Sequence, residues 1–222
     1  MKKWMIYLCG INTVGLAAAI FLSEKEIVPT HFNFSGNADA WGNKWTYLLF
    51  AVIPIGIELS YQWRNRTMNQ NDMILDNQKI ERKLLSIITP MFIVLGGIFT
   101  YTALYGNGIL GSFKYLIPAL LGLVIVVISN DFGKIVQNRT LGIKVYWTLH
   151  DDTVWKKTHR LGGYLGVIGG LLLVVTGIAG YIVQNASVLA YGSGISMILV
   201  VVIPIFYSWR LYTRLHPKGK KS

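Results

Sequence analysis

The sequence predicts an all-α fold: a polytopic membrane helix bundle of about six transmembrane helices with both termini in the cytoplasm. Apolar residues make up 53% of the 222 residues and charged residues only 14%, and the mean hydropathy is +0.46. A chain of this composition is suited to lipid rather than water. The formal charge of +11 is expected to meet anionic lipid head groups, and no direct nucleic-acid partner is expected.

Six apolar stretches are each long enough to cross a hydrocarbon layer about 30 Å thick. They are read at 4–22, 45–63, 84–105, 113–130, 161–183 and 193–210. The first stretch has a rival interpretation as a cleaved signal peptide, but its apolar run continues through Leu22, so an uncleaved helix is expected.

The orientation follows from the distribution of Lys and Arg between the stretches. The N-terminus, 64–83, 131–160 and the tail from Arg210 hold two, five, six and five of them, so 18 of 21 lie on one side. The side richer in Lys and Arg is cytoplasmic by the positive-inside rule. We therefore expect a multi-pass protein of the cell membrane with both termini inside.

The spans pair into three helical hairpins. The first covers 1–63 with an external loop at 23–44, the second covers 64–130 with a cytoplasmic connection at 64–83, and the third covers 131–222 with a cytoplasmic segment at 131–160 and a basic tail. Each helix that returns to the cytoplasm carries an Ile-Pro pair, and proline is expected to interrupt its hydrogen bonds.

The fifth span carries glycines on one face, which allows a neighbouring backbone to approach closely. They are Gly162, Gly166, Gly170 and Gly177. Packing within the bundle is the expected use, and homodimerisation is the alternative.

Two polar residues inside spans stand out, Asn12 and Glu58. An ionisable side chain within a membrane helix is a candidate functional site with a partner. The alternative is that Glu58 lies close enough to Trp63 and Arg64 to be hydrated or paired at the interface.

The external loop contains VPTHFNFSGNADAWGNK, which is longer than a simple connection requires. Its glycines offer tight-turn chemistry around His31, a potential ligand. The pattern resembles a small domain of unknown function in bacterial membrane proteins. The matching residues are Pro29, His31, Asn33, Gly36, Asp39, Gly42 and Lys44.

The inner segment reads SNDFGKIVQNRTLGIKVYWTLHDDTVWKKTHRLGG. Asp151 or Thr148 can cap a helix in which Trp155 and His159 share a face, and this helix would feed directly into span five. Trp147, Trp155, His159 and Arg160 are expected to form an interfacial element docked on span five, because their density exceeds what a topology signal needs. The alternative is a charged tether whose amphipathic rings lie at the membrane interface.

This segment is similar to the C-terminal signature of the SdpI-type bacterial immunity protein family. The signature residues include Asn138, Gly142, Lys144, Trp147, Thr148, Trp155, Lys157, Thr158, His159 and Arg160. Val136 and Gln137 stand where the family usually has Arg-Pro, Lys144 replaces an Arg, and Tyr146 replaces a Pro. What this loop contacts is therefore expected to differ from the family's best-known case.

The resemblance implies protection of the cell from a secreted toxic peptide, and a possible role as a receptor that holds a cytoplasmic transcriptional repressor at the membrane. Neither role needs covalent chemistry, and the sequence lacks the common hydrolase, metalloprotease and nucleotide-binding motifs. No enzyme activity, cofactor or metal is therefore expected. A minor alternative is a metal at His31 with Glu24, Glu26 and Asp39. The alternative function is a small transporter or channel that uses Glu58 and proline-broken helices.

Overall fold

The computed structural model describes residues 4–33, 35–67, 72–106 and 110–217, without the side chains of 72–76. The helices run in the order α1 (Trp4–Leu22), α2 (Leu49–Thr67), α3 (Asp72–Tyr105), α4 (Phe113–Phe132), α5 (Tyr146–His150), α6 (Asp152–Val183), α7 (Ala186–Met197) and α8 (Ile203–Leu215). A 3-10 turn, Lys44–Leu48, precedes α2, and a π-helical turn, Ile198–Val202, joins α7 to α8.

Five helical segments in the described chain are long and apolar enough to cross a membrane. They are Trp4–Leu22, Asn77–Tyr105, Phe113–Phe132, Asp152–Val183 and Ala186–Leu215. The remaining predicted span, 45–63, is also helical, but α2 holds Glu58, Arg64 and Arg66 in its second half and is less apolar. The predicted polytopic helical fold is confirmed, and the chain is a multi-pass membrane protein.

The predicted starts of two spans were wrong. Helix α3 begins at Asp72 instead of 84, so most of the predicted 64–83 connection is helical and only 68–71 separates it from α2, outside the described residues. Helix α6 begins at Asp152, nine residues before the predicted span. Apolar runs locate the part of a helix in lipid, and polar turns that extend the same helix beyond the lipid leave no hydropathy signal.

The external loop is not irregular. It forms an antiparallel hairpin of β1 (Ile27–Phe32) and β2 (Ala38–Asn43), in which Val28 pairs with Gly42 and His31 with Ala40. The register shifts on both sides of His31. Among the residues that the structure describes, the predicted spans are therefore helical, and this short hairpin accompanies the predicted all-α bundle.

The chain forms two compact units. Unit 1 comprises Met1–Gln70 and Leu85–Ile117, and unit 2 comprises Asn71–Leu84 and Pro118–Ser222. The core of unit 1 contains Ile20, Val28, Tyr47, Ala103 and Leu104. Unit 2 is organised around α6, which packs along α7, the π-helical turn and α8.

The prolines do not break their helices. Helix α2 is continuous through Pro54, and the carbonyl of Phe50, which loses its helical donor there, accepts a hydrogen bond of 3.2 Å from Asn12 Nδ2 on α1. Before Pro204 the chain widens into the π-helical turn, in which Ile203 N–H donates to Ile198 O. The expected proline-broken helices are therefore absent from the described segments, because other donors or a wider turn satisfy the backbone.

The glycine face of α6 packs against other helices of unit 2. A Cβ on Gly166 would overlap the Ser129 side chain, and one on Gly170 would lie 2.8 Å from Gly122 O on α4. Gly162 meets Phe132 at 3.3 Å, and Gly177 is buried. Packing within the chain, the first of the two expected uses, therefore occupies this face.

The orientation of the termini stays a prediction, and cysteine labelling tests it. In a Cys9→Ser background we expect Asn37→Cys to react with an impermeant thiol reagent on intact cells, and His150→Cys and Pro217→Cys to react only after lysis. The native Cys9 is fully buried and should react little with the reagent, and its replacement removes the remaining background labelling. Labelling of position 150 or 217 from outside would overturn the inside orientation of both termini.

Candidate functional site

The external hairpin is attached to unit 1 by three lysines, each of which donates to a backbone carbonyl. Lys44 Nζ lies 2.9 Å from Ser23 O, Lys25 Nζ lies 2.7 Å from Gly106 O, and Lys114 Nζ lies 2.7 Å from Ser35 O. Lys44 is buried and also contacts Glu26 at 3.0 Å. These are the three basic residues that sequence analysis placed outside, and they anchor the hairpin at its base and at its tip.

Most residues of the external motif serve this scaffold. The carbonyl of buried Pro29 accepts a hydrogen bond of 2.6 Å from Tyr47 Oη. Asn33 Oδ1 accepts from the amides of Ser35 and Asn37 at 2.9 and 3.1 Å, which closes the turn between the strands.

The two motif glycines are required for different reasons. Gly36 has a φ of +81°, its carbonyl accepts from Leu110 N–H at 2.6 Å, and a Cβ there would meet the Lys114 side chain. Gly42 is not in a turn as expected: it lies within β2, where a Cβ would come within 2.9 Å of Thr30 Cγ2. Glycine is therefore needed once for conformation and once for space.

Two motif residues are left without a scaffold role, His31 and Asp39. His31 Nδ1 and Asp39 Oδ1 are 2.5 Å apart, and their side chains are 68% and 45% exposed. The pairing register of the strands is irregular on both sides of His31, where the two side chains meet. The pair is an exposed polar contact that the rest of the hairpin does not use.

Sequence analysis did not single out Trp41, which is 58% exposed on β2. An exposed indole on a rigid hairpin is the kind of side chain that anchors a binding partner. The signal was present in the sequence, because Trp41 lies two residues after Asp39 within the motif. His31, Asp39 and Trp41 together are called the hairpin face below.

The inner signature forms a docked structure in unit 2 around Trp155 and His159. Both side chains are fully buried and stack with ring centroids 3.9 Å apart, which agrees with the predicted docked element and not with its alternative, rings exposed at the interface. Trp155 Nε1 donates to Ile135 O at 2.8 Å. Trp155 and His159 share a face of α6, as predicted, and the preceding loop covers that face.

Both ring nitrogens of His159 are used. Ile143 N–H donates to Nε2 at 2.9 Å, so Nε2 carries no proton, and Nδ1 therefore carries one and donates to Trp155 O at 2.9 Å. Gly142, with a φ of +117°, lies against these rings: a Cβ there would meet His159 Nε2 and would lie 3.0 Å from the Trp155 ring. A protonated His159 would have to break the bond to Ile143.

Polar side chains fold the loop that covers these rings. Asn138 Oδ1 accepts from the amides of Thr140 and Leu141, both at 2.7 Å, and its Nδ2 donates to Val136 O. Buried Thr148 donates to Ile143 O at 2.6 Å and accepts from Val145 N–H. Asp151 caps α6 through Val154 N–H, as one of the two expected caps.

Two positions at which this chain differs from the usual family sequence, Val136 and Gln137, form hydrogen bonds within unit 2. Val136 forms a double hydrogen bond with the side chain of Asn77 on α3, at 2.9 and 3.0 Å. Gln137 Nε2 donates to Thr148 O at 2.8 Å. Sequence analysis missed Asn77, because no local pattern relates residues separated by 59 positions.

The remaining signature residues divide between buried and exposed. Thr158 is buried, and its hydroxyl has no hydrogen-bond partner in the described structure. Lys157 and Arg160 are exposed on the side of α6 away from the rings, and Lys144 Nζ contacts Thr140 O at 3.0 Å. Trp147 Nε1 donates to Ser208 Oγ on α8.

Glu58 is buried, with 4% of the residue exposed. Its Oε1 accepts a hydrogen bond of 3.2 Å from Thr89 Oγ1 on α3, within unit 1. A polar partner for this carboxyl was expected, and the partner is a hydroxyl.

Two family profiles and one curated protein match this chain. Residues 134–208 match the SdpI/YfhL protein family, and residues 12–55 match a domain of unknown function, DUF1648. The Immunity protein SdpI of Bacillus subtilis (strain 168) is 26% identical over 145 residues, which are 64% of this chain and 67% of that protein. No solved structure matches. The expected resemblance to the SdpI-type family is confirmed at both motifs.

We expect Trp155→Ala and Trp147→Ala to lower the thermal midpoint of the detergent-purified protein, whereas Lys156→Gln leaves it nearly unchanged. Removing the fully buried Trp155 ring costs about 3–5 kcal/mol, and removing the half-buried Trp147 ring, which also loses its hydrogen bond to Ser208, costs less. Gly142→Ala should also lower the midpoint, because it strains the backbone and displaces the stacked rings. Lys156 is a matched control since it neighbours Trp155 but is exposed and paired with Asp152. Equal, small effects from all four changes would contradict a docked segment.

Proposed function

We propose that this chain, a relative of the SdpI-type family, is a membrane immunity protein whose external hairpin face captures a secreted toxic peptide. The observation that carries the proposal is the division of labour within the external motif. Five of its seven residues hold the hairpin in place, and the other two, His31 and Asp39, form an exposed pair. The likeness to the Immunity protein SdpI supports the same function.

The hairpin face is suited to an amphipathic peptide. Trp41 offers a rigid apolar anchor, and the His31–Asp39 pair offers a hydrogen-bond donor and acceptor beside it. Because the hairpin is fixed at both ends, little conformational entropy is lost when a peptide binds. Capture at this face would remove the peptide before it inserts into the bilayer.

The pair is unimportant for folding, which allows function and stability to be separated. An exposed ion pair contributes only about 0.2–1 kcal/mol to stability. In a sensitive Gram-positive host challenged with a panel of secreted membrane-active peptides, we expect the wild-type chain to raise survival against its cognate peptide. His31→Ala, Asp39→Asn and Trp41→Ala should each lower the highest peptide concentration that the cells survive. The expected decrease is about tenfold or more, as when a binding hot spot is lost.

The matched control is Ala40→Ser, which changes an exposed position on the same strand and removes no large or polar side chain. It should protect as the wild type does, and all variants should keep their thermal midpoint. No protection by the wild-type chain against any peptide of the panel would reject immunity. Loss of protection in Glu58→Gln, but not in the hairpin variants, would instead favour a transporter, which the burial of Glu58 against Thr89 would then support.

We also propose that the inner signature presents a basic face for a cytoplasmic transcriptional repressor. Trp155 and His159 anchor one side of the first turns of α6, so Lys156, Lys157 and Arg160 on the other side have fixed positions. A fixed cluster of exposed cations is complementary to an acidic helix. The signalling role implied by the family resemblance needs a surface of this kind.

Fluorescence microscopy tests this role on the DNA-binding regulator encoded nearest to the gene for this chain. We expect the tagged regulator to lie at the membrane when the chain is present and to become cytoplasmic with Lys157→Glu and Arg160→Glu combined, because like charges repel. Arg139→Glu with Lys144→Glu, at two exposed positions of the preceding loop, is the charge-matched control. A regulator that stays cytoplasmic in every strain would contradict the proposal.

A further inference from the structure

Unit 2 has an apolar groove that the proposed function does not use. It has a volume of about 550 Å³ and is lined by Trp147, Val201, Val202, Ile205, Phe206 and Trp209. This volume falls within the range of roughly 300–1,000 Å³ that is usual for small-molecule sites.

Hydrogen bonds inside the protein fix the walls of the groove. Trp147 Nε1 donates to Ser208 Oγ, and the hydroxyl of Ser208, which is fully buried, donates to Ile205 O at 2.6 Å. The indole is therefore held against α8, and its polar atom is already used. An occupant meets only hydrocarbon and aromatic surface, which suits an alkyl chain.

The π-helical turn shapes the upper wall. Ile198–Val202 widens the helix just before Pro204, and Val201 and Val202 of this turn face the groove. Turns of this kind are rare and frequently occur at functional sites. The turn therefore supplies one end of the groove, and α5 and α8 supply the rest of its lining.

One end of the groove is basic. Arg210 directly follows the lining residue Trp209 and is exposed. The only carboxylate that the described structure shows in contact with this end of α8 is Asp151, which lies 3.6 Å from His216. An apolar groove with an arginine next to its last lining residue is complementary to a lipid with a negatively charged head group.

We propose that this groove binds an acyl chain of an anionic phospholipid whose phosphate is held by Arg210. The lipid would occupy the space between α5 and α8 and brace the signature segment against the last helix. This site differs from the hairpin face, and the proposal does not depend on the immunity function.

Native mass spectrometry of the detergent-purified full chain tests the proposal. After incubation with equimolar phosphatidylglycerol and phosphatidylcholine, we expect one retained phosphatidylglycerol per chain. Arg210→Gln should reduce the preference for phosphatidylglycerol about fivefold, as expected for one arginine near an anionic head group. Val202→Trp should abolish retention of either lipid, because the added ring fills the groove.

Two matched controls make the result decisive. Met197→Trp adds the same ring at an exposed position of the same span outside the groove, and Lys156→Gln removes one cation elsewhere in unit 2. Both should retain lipid as the wild type does. Equal retention of the two lipids, or equal behaviour of Val202→Trp and Met197→Trp, would mean non-specific boundary lipid and overturn the proposal. A dimer that Val202→Trp dissociates would identify the occupant as a second copy and also overturn it.

Discussion

The backbone of this protein has to satisfy its own hydrogen bonds wherever it lies in lipid, because hydrocarbon offers no donor or acceptor. Asn12 is the clearest response: it supplies the donor that Pro54 withholds from Phe50 O, and so couples α1 to α2. Ser196 Oγ donates to Gly169 O at 2.7 Å and links α7 to α6 in the same way. Polar residues inside these spans thus act as cross-links between helices, and this gives Asn12 a structural role that needs no ligand.

Glycine then determines how closely the helices of unit 2 can approach. At Gly166 and Gly170 the partners are the side chain of Ser129 and the backbone of Gly122 on α4, and at Gly169 they are Val200 and Ser196. Dispersion contacts at these short distances replace the hydrophobic effect, which gives no net drive between helices in lipid. The sequence of α6 follows this requirement. Bulky rings in its first turns pack against the preceding loop, and small residues further along allow the neighbouring helices to approach closely.

Hydropathy and charge predicted the helices of the membrane part because lipid imposes a length and a composition on each span. They could not predict the hairpin, whose pairs, such as Ile27 with Asn43, depend on an irregular register and on anchors on distant segments. The helical spacing of Trp155 and His159 placed both rings on one face, but a ring covered by a folded loop and a ring at a membrane interface have the same spacing, so hydropathy alone does not distinguish them. The contact between Asn77 and Val136 joins residues far apart in the sequence, and the residues around each of them contain no pattern that predicts it.

The two sequence motifs are similar in the way they divide their residues. In each motif, most residues specify one rigid shape. Gly142 and Asn138 have this role in the inner segment, and Gly36 and Asn33 have it in the hairpin. The few exposed members contribute little to stability, since surface charges rarely do. A change of partner would therefore be expected at exposed positions such as Trp41 or Arg160, with the scaffold kept. On this argument the fold constrains most of each motif, and specificity depends on a small exposed remainder.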